Sequence, residues 1–299
     1  MDPHWDDLKI FLAVARTDSL SGAGRHLKID PATVGRRIAR LEEALGSPLF
    51  VKSPQGYAVT DAGQRLLAHA ELAEQAMEGA IEELAGSPGT LSGQIRIGAP
   101  DGCANFLLPQ VCAQISNENP DLDIQIVALP RMFNLTRREA DMAIAVSPPT
   151  AGRLSVRKIT DYGLSLYAAR WYLRAHGWVD TLEDLKQHKI ISYIPDMIFD
   201  KELDYLSEIG IDRAQLASNS VTVQTTWVRQ GHGVGIMHDF AIPSGARKMI
   251  RLIPEQFSLT RSFYLVRHAD DRRLERMNRF ADALVAGIRS EVARLEADA

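Results

Sequence analysis

The sequence predicts an α/β protein in three parts: a mainly α N-terminal winged helix-turn-helix, a long linker helix, and a C-terminal two-lobed α/β domain. Three observations predict it. Apolar residues recur at helical spacing from Trp5 to Leu45, then give way to two short strand-like runs around a Pro-containing turn. A heptad-like alternation of apolar and alanine positions runs from Leu66 to Leu84, within a segment from Asp61 to about Ala85 that reads as one helix. From Gln94 onward, strand-like and helix-like segments alternate in two successive series.

The first helix is marked by Trp5, Leu8, Phe11 (or Leu12) and Ala15, and it stops at Thr17-Asp18-Ser19. Ser19 is an N-cap for a short second helix through Ala23 to Leu27, whose Gly22, Ala23 and Gly24 admit a close neighbour. Asp30-Pro31 supplies a cap and a first-turn proline for a third helix that reaches Leu45 and ends at Gly46. Along it Val34, Ile38, Leu41 and Leu45 form a stripe for burial, while Thr33, Arg36, Arg37 and Arg40 fall on the opposite side. Guanidinium groups behind a polar first turn suit the DNA major groove, where arginine pairs with guanine or holds phosphate. A solvated face with ion pairs to Glu42 and Glu43 is the alternative. Leu49-Phe50-Val51 and Tyr57-Ala58-Val59, around Ser53-Pro54-Gln55-Gly56, complete a two-stranded wing, with Lys52 placed to reach a phosphate.

Thr60 caps the long helix from Asp61 to about Ala85, which Gly86-Ser87-Pro88-Gly89 ends. Leu66, Ala70, Ala73, Met77, Ala80 and Leu84 alternate spacings of four and three, a seam that predicts a homodimer. Packing on its own domain is the alternative.

In the first α/β series, strands are expected at Gln94 to Gly98, Asp123 to Val127 and Asp141 to Val146. Helices are expected from Asn105 to Ile115 and from Leu135 to Glu139. In the second, strands are expected at Leu164 to Ala168, Ile190 to Ile194 and Ser220 to Val223. Helices are expected at Arg170 to His176, Tyr205 to Glu208 and Thr225 to Gln230. Gly231 to Gly235 reads as a turn into a buried strand, Phe263 to Arg267 as a late strand, and Asp270 to Leu295 as a terminal amphipathic helix.

Composition narrows the function class. A chain of 299 residues, 45% hydrophobic and 24% charged, fits two or three ordinary globular domains. Asp2, Asp6 and Asp7 oppose a secretory signal, and no stretch approaches the roughly 20 apolar residues of a membrane span. A cytoplasmic protein is expected. Net charge is −4, which opposes indiscriminate coating of nucleic acid. Cys103 and Cys112, if on one helix, stand roughly 13 Å apart, too far for a disulfide, so reduced thiols are expected. No Gly-x-Ser-x-Gly elbow, His-Glu-x-x-His pair or Walker loop is present, and His232 with His238 lacks a carboxylate partner for metal. The expectation is no enzyme, no cofactor and no metal.

The run from Asp18 to Gly63 closely resembles the DNA-binding domain of LysR-type transcriptional regulators. The matching residues are Ala23, Leu27, Arg37-Ile38, Leu41-Glu42, the Leu45-Gly46-x-Pro48-Leu49-Phe50 block and Thr60-x-x-Gly63. Asp30 stands where the family usually has glutamine, Gly35 where serine is frequent, and Lys52 where arginine is usual. These departures bear on the base sequence read, because phosphate contacts position while base contacts specify. Further on, "IRIGAP" before Leu108-Pro109, "READMAI", and "VRQGHGVGIM" from Val228 to Met237 resemble the family's effector-binding domain, itself similar in fold to periplasmic solute-binding proteins.

The resemblance implies a DNA-binding domain over 1–59, a dimerisation linker over 60–89 and an effector-binding domain over 90–299. Within the last, lobe I is 93–163 with 267–296, and lobe II is 164–266. It implies a sequence-specific transcription regulator acting as a homodimer or dimer of dimers on an interrupted palindrome in double-stranded DNA. A small-molecule effector and RNA polymerase are its further partners, and no membrane is involved. DNA-binding candidates are Ser21, Asp30, Pro31, Thr33, Arg36, Arg37, Arg40 and Lys52. Ligands of such folds sit at strand carboxyl ends between the lobes, which selects Asp101, Gly102, Cys103, Ala104, Arg131, Tyr193, Gln224 and Thr225. Asp101 would repel an acid unless Arg131 compensates, so a neutral, amine-bearing or amphipathic effector is expected. A solute-binding receptor without a transcriptional role is the alternative.

Overall fold

The computed structural model describes residues 4–53, 56–85, 90–128, 140–149, 152–242, 249–269, 271 and 274–297. The chain divides into two compact units, Met1–Gly86 and Ser87–Ala299.

The N-terminal unit follows its local signals closely. Helices α1 (Trp5–Thr17), α2 (Leu20–Leu27) and α3 (Pro31–Leu45) precede a hairpin of β1 (Phe50–Ser53) and β2 (Gly56–Val59), then α4 (Asp61–Ala85). Ser19 Oγ accepts from Gly22 N at 3.2 Å to start α2, and Asp30 Oδ1 accepts from Ala32 N at 2.9 Å to start α3. Gly46, at φ +65°, ends α3 in the left-handed region that glycine enters without strain. Phe11, Leu12, Val34, Leu41 and Leu49 fill the core. Leu45, expected in the buried stripe, is 38% exposed, because the last turn of α3 runs past that core. The hairpin is antiparallel, with Lys52 opposite Tyr57. Gly56, at φ +133°, lets β2 press onto the α1–α2 turn: Tyr57 N donates to Asp18 O at 2.9 Å, and a Cβ at Gly56 would meet that oxygen at 2.2 Å.

The C-terminal unit is one nine-stranded sheet with helices packed against it, in the order β4-β3-β5-β11-β6-β9-β7-β8, plus β10 on β6. Its strands are β3 (Gly93–Ala99), β4 (Leu122–Ala128), β5 (Met142–Ala145), β6 (Leu154–Ala169), β7 (Ile190–Ser192), β8 (Leu216–Ala217), β9 (Val234–His238), β10 (Met249–Leu252) and β11 (Leu259–His268). Parallel pairs β3/β4 and β3/β5 belong to one half, and β7/β8 and β7/β9 to the other. The 16-residue β6 runs antiparallel through both halves, on β11 from Leu154 to Leu164 and on β9 from Leu164 to Ala168. The lobes therefore meet where β6 exchanges one partner for another. Helix α10 (Glu275–Glu296) buries Phe280, Leu284 and Ile288.

Several local expectations are corrected. The helix expected from Asn105 to Ile115 is two, α5 (Asp101–Phe106) and α6 (Leu108–Glu118). Pro109 lacks the N–H that would continue α5, and the chain breaks at Leu107. Cys103 and Cys112 accordingly lie on different helices, both buried. The strand expected at Ser220 to Val223 is instead the start of α9 (Val221–Arg229). The remaining helices are α7 (Arg170–His176) and α8 (Tyr205–Glu208). The helix expected at Leu135 to Glu139 lies outside the described residues.

Candidate DNA-binding face and effector cleft

Helix α3 presents its arginines unequally. Arg36 is exposed, and among the described residues its guanidinium donates to Thr33 Oγ1 alone, one turn back, at 3.0 Å. Arg40 donates to both oxygens of Asp7 on α1, Nε to Oδ2 at 2.8 Å and an η-nitrogen to Oδ1 at 2.6 Å. This paired contact with Asp7 raises the Arg40 pKa further above its already high value. Asp7 is 1% exposed, and Arg37 stands 3.8 Å from the same carboxylate. The partner is thus neither Glu42 nor Glu43, which the sequence offered. Glu42 binds the wing instead, accepting from Leu49 N at 2.6 Å and Phe50 N at 3.2 Å through one oxygen. Ser21, Pro31 and Lys52 are exposed, Thr33 is half-buried, and Asp30 spends its carboxylate on the α3 cap.

On α4, Ala70 is 3% exposed within its own unit and packs into that core, whereas Met77 is 44% exposed and Ala73 is half-buried. Beside them α1 and α4 form a groove of about 210 Å³, with Trp5 and Met77 on its rim. Arg16 and Glu74 brace it through a two-point ion pair. The side chains of Ala80 and Leu84 lie outside the described residues, as does Arg131.

Between the lobes, Asp101 is the first residue of α5, but its carboxylate does not cap that helix, whose N-cap is Pro100. It crosses to the start of α9. Oδ2 accepts from Val221 N at 2.6 Å, Ser220 Oγ at 3.2 Å and Thr222 N at 3.4 Å, while Oδ1 accepts from Asn105 Nδ2 at 3.0 Å. These are the amides an α-helix leaves without internal partners, at the end where its dipole favours negative charge. Gly102 packs closely beside this contact: a Cβ there would lie 3.3 Å from the His238 ring, which would have to give slightly, and at ordinary contact distance, 3.5 Å, from Val221.

Behind the contact is a cavity of about 20 Å³, room for one water, lined by Asp101, Cys103, Tyr193, Phe199, His238 and Phe263 among others. His238 stacks on Tyr162 at 5.5 Å and lies 4.9 Å from Phe240, and its Nδ1 has no hydrogen-bond partner. Burial lowers its pKa to about 4, so the imidazole is neutral at pH 7. Burial raises the thiols of Cys103 and Cys112, which keeps both protonated.

Of the sequence-selected residues, Asp101, Gly102, Cys103 and Tyr193 line this cavity. Gln224 is 2% exposed and donates to Ser218 O at 2.7 Å, and Thr225 donates to Met237 Sδ at 3.5 Å, so both side chains serve lobe II itself. Ala104 is buried in the core. Sequence reasoning missed Val146, Phe199, Leu203, Asn219 and Phe263, and it met His238 only as half of a weak metal pair. Among the described residues no cluster of His, Cys, Asp and Glu could hold a metal ion.

Residues 5–64 match the family model described as bacterial regulatory helix-turn-helix protein, lysR family, and residues 88–289 match the LysR substrate binding domain. The chain is 24% identical over 268 residues to the HTH-type transcriptional activator TtdR of Escherichia coli K12, covering 85% of this chain and 84% of that protein. The structure of CrgA, a LysR-type transcriptional regulator from Neisseria meningitidis, superposes with a TM-score of 0.59 at 24% identity, covering 95% of this chain and 98% of that one. Full-length LysG from Corynebacterium glutamicum, solved with bound effector Arg, gives a TM-score of 0.65 at 18% identity, covering 96% and 98%.

Proposed function

The chain belongs to the LysR family of bacterial transcriptional regulators, and from that premise we propose how its residues divide the work. Residues 1–59 bind double-stranded DNA, 60–89 pair two subunits, and 90–299 sense a small molecule. Ser21, Pro31, Thr33, Arg36 and Arg37 meet the major groove and Lys52 the adjacent phosphates. Arg40 acts through Asp7, holding α3 against α1 so that Arg36 is aimed outward. The observation that carries this reading is the difference in commitment: Arg36 is exposed with Thr33 as its one partner among the described residues, whereas Arg40 is spent on a buried carboxylate.

Trp5 and Met77, exposed beside the α1–α4 groove, are the apolar surface a second copy covers, together with Ala73, while Ala70 and Leu66 of the expected seam pack on their own unit. Two subunits then present two recognition helices to an interrupted palindrome, as a dimer or a dimer of dimers, and RNA polymerase is the partner met at the promoter. An effector in the lobe cleft alters the spacing of the DNA-binding pairs by binding two arrangements unequally. The reading has no catalytic role: the thiol in the cleft is held protonated, and His238 has no carboxylate to orient it. Cytoplasmic residence follows from the DNA target, and among the described residues no helix is long and apolar enough to cross a membrane.

The test is retardation of the DNA upstream of the protein's own gene. Arg36→Ala should weaken specific binding by about 1–3 kcal/mol and reduce its salt dependence without lowering thermal stability. An unchanged affinity and salt slope would remove Arg36 from the interface.

A further inference from the structure

The lobe cleft carries its own carboxylate. Asp101, from lobe I, meets two backbone amides and one hydroxyl at the start of a nine-residue helix in lobe II, with a shortest contact of 2.6 Å. A free carboxylate or phosphate docking on that helix would take the same groups, since such termini combine unpaired N–H donors with a favourable dipole. None of the described residues lining the cavity behind it is lysine or arginine, and the one imidazole there, His238, is neutral. An acid entering this space would therefore find its donors taken, a like charge beside it and, among the described lining residues, no cation to meet. What remains without a partner is uncharged: Nδ1 of His238, 5% exposed and set among rings.

We propose that Asp101 is a tethered ligand: it fills the anion-binding terminus of α9, holds the two lobes closed in the effector-free protein, and restricts the cleft to effectors that carry no acid group. The proposal rests on the reading of this cleft as the effector site and names the chemistry of that site. Opening the cleft means separating Asp101 from Ser220, Val221 and Thr222. An effector that wedges into the aromatic pocket, hydrogen-bonding to His238, competes with this contact rather than extending it.

The experiment is amide hydrogen exchange on the full-length protein, read at Val221 and Thr222, with formate as the probe because it restores the group that Asp101→Ala removes. In the wild type both amides should be protected, and saturating formate should change nothing. In Asp101→Ala they should exchange about tenfold faster or more, and formate should restore protection. Asp101→Asn keeps the shape and an acceptor oxygen, so it should fold where the alanine variant fails and show a smaller acceleration. Unchanged exchange in both variants overturns the proposal. So does a wild-type cleft in which a carboxylate displaces Asp101 from these amides, a result that leaves the effector reading intact. Conversely, a latch behaving as stated, in a protein whose DNA complex responds to none of the neutral and amine-bearing compounds tried, upholds the closing contact of Asp101 and overturns both the effector reading and the restriction on effectors.

Discussion

In the N-terminal unit, α2, α3 and α4 take their caps from the residue just before each helix: Ser19 for Gly22, Asp30 for Ala32, Thr60 for Gly63. In the C-terminal unit, α9 takes its cap from Asp101, 120 residues earlier and in the other lobe. The first arrangement makes each helix self-sufficient in its start signal, α3 with its arginines included. The second makes the order of one helix depend on the relative position of two lobes, which is what a sensing domain requires. A helix end closed locally is structure; one closed at a distance is also a switch.

The largest test of this contrast is at His238, whose surroundings come from distant strands: Tyr162 on β6 and Phe263 on β11 stack upon each other at 4.1 Å beside it. A histidine whose folded pKa is depressed binds its proton more weakly folded than unfolded. Stability is then complete above the ordinary value of 6.5 and is lost as pH falls toward about 4. Chemical denaturation of the C-terminal unit's signal should show about 2 kcal/mol less stability at pH 5 than at pH 7.5 from this group. His238→Phe, which keeps a ring in the stack, should lack that part of the decline. Equal declines in the two proteins would mean that His238 reaches solvent in solution and that the lobes are not closed upon it.

A smaller effect tests locality on the other side. Asp30→Ala removes the α3 cap and should cost about 1 kcal/mol. Exchange should accelerate at Ala32 and leave Val221 and Thr222 unaffected. Acceleration at those distant amides would break the comparison, because the recognition helix would then be coupled to the cleft through the folded state itself.

The same contrast explains what could be read in advance. The winged helix was legible almost to the residue, because Ser19, Asp30-Pro31 and Gly46 announce their helix ends within a few positions. Only the first turn of α9 reads as a strand, its remainder from Thr225 being expected as helix, for two reasons: Val221, Thr222 and Val223 are β-branched, and the carboxylate that closes this end is not adjacent in sequence. Of β6 only Leu164 to Ala168 is legible, since the stretch from Leu154 to Lys158 is exposed or half-buried throughout and shows no buried alternation. The break at Leu107 was available in Pro109 and was overridden by the apolar pattern on either side. The partner of Arg40 lay 33 residues away on α1, where spacing along α3 could not point. The rule of strand ends selects Asp101, Gly102, Cys103 and Tyr193 of the cavity lining, but His238 and Phe263 come from strands whose neighbours only the sheet order reveals, and Phe199 from the irregular segment after β7.

The smallest effect concerns the seam where the lobes exchange strands. Glu296, near the end of α10, accepts from Gly163 N on β6 at 2.8 Å, a contact spanning 133 residues. Burial raises its pKa, the Gly163 amide lowers it, and neighbouring Asp239 raises it again, with a net upward shift. A carboxyl with a raised folded pKa binds its proton more tightly folded than unfolded. Its contribution is therefore favourable at low pH and is lost as pH rises through the folded value, the reverse of His238. Glu296→Gln keeps an oxygen for Gly163 and removes the charge. It should leave stability at pH 7 unchanged or higher by a few tenths of a kcal/mol, and should flatten this part of the pH dependence. A loss of about 1 kcal/mol or more would instead mean that the charge on Gly163 strengthens the seam, and a second long-range carboxylate–amide contact would then join Asp101 in holding the two halves in register.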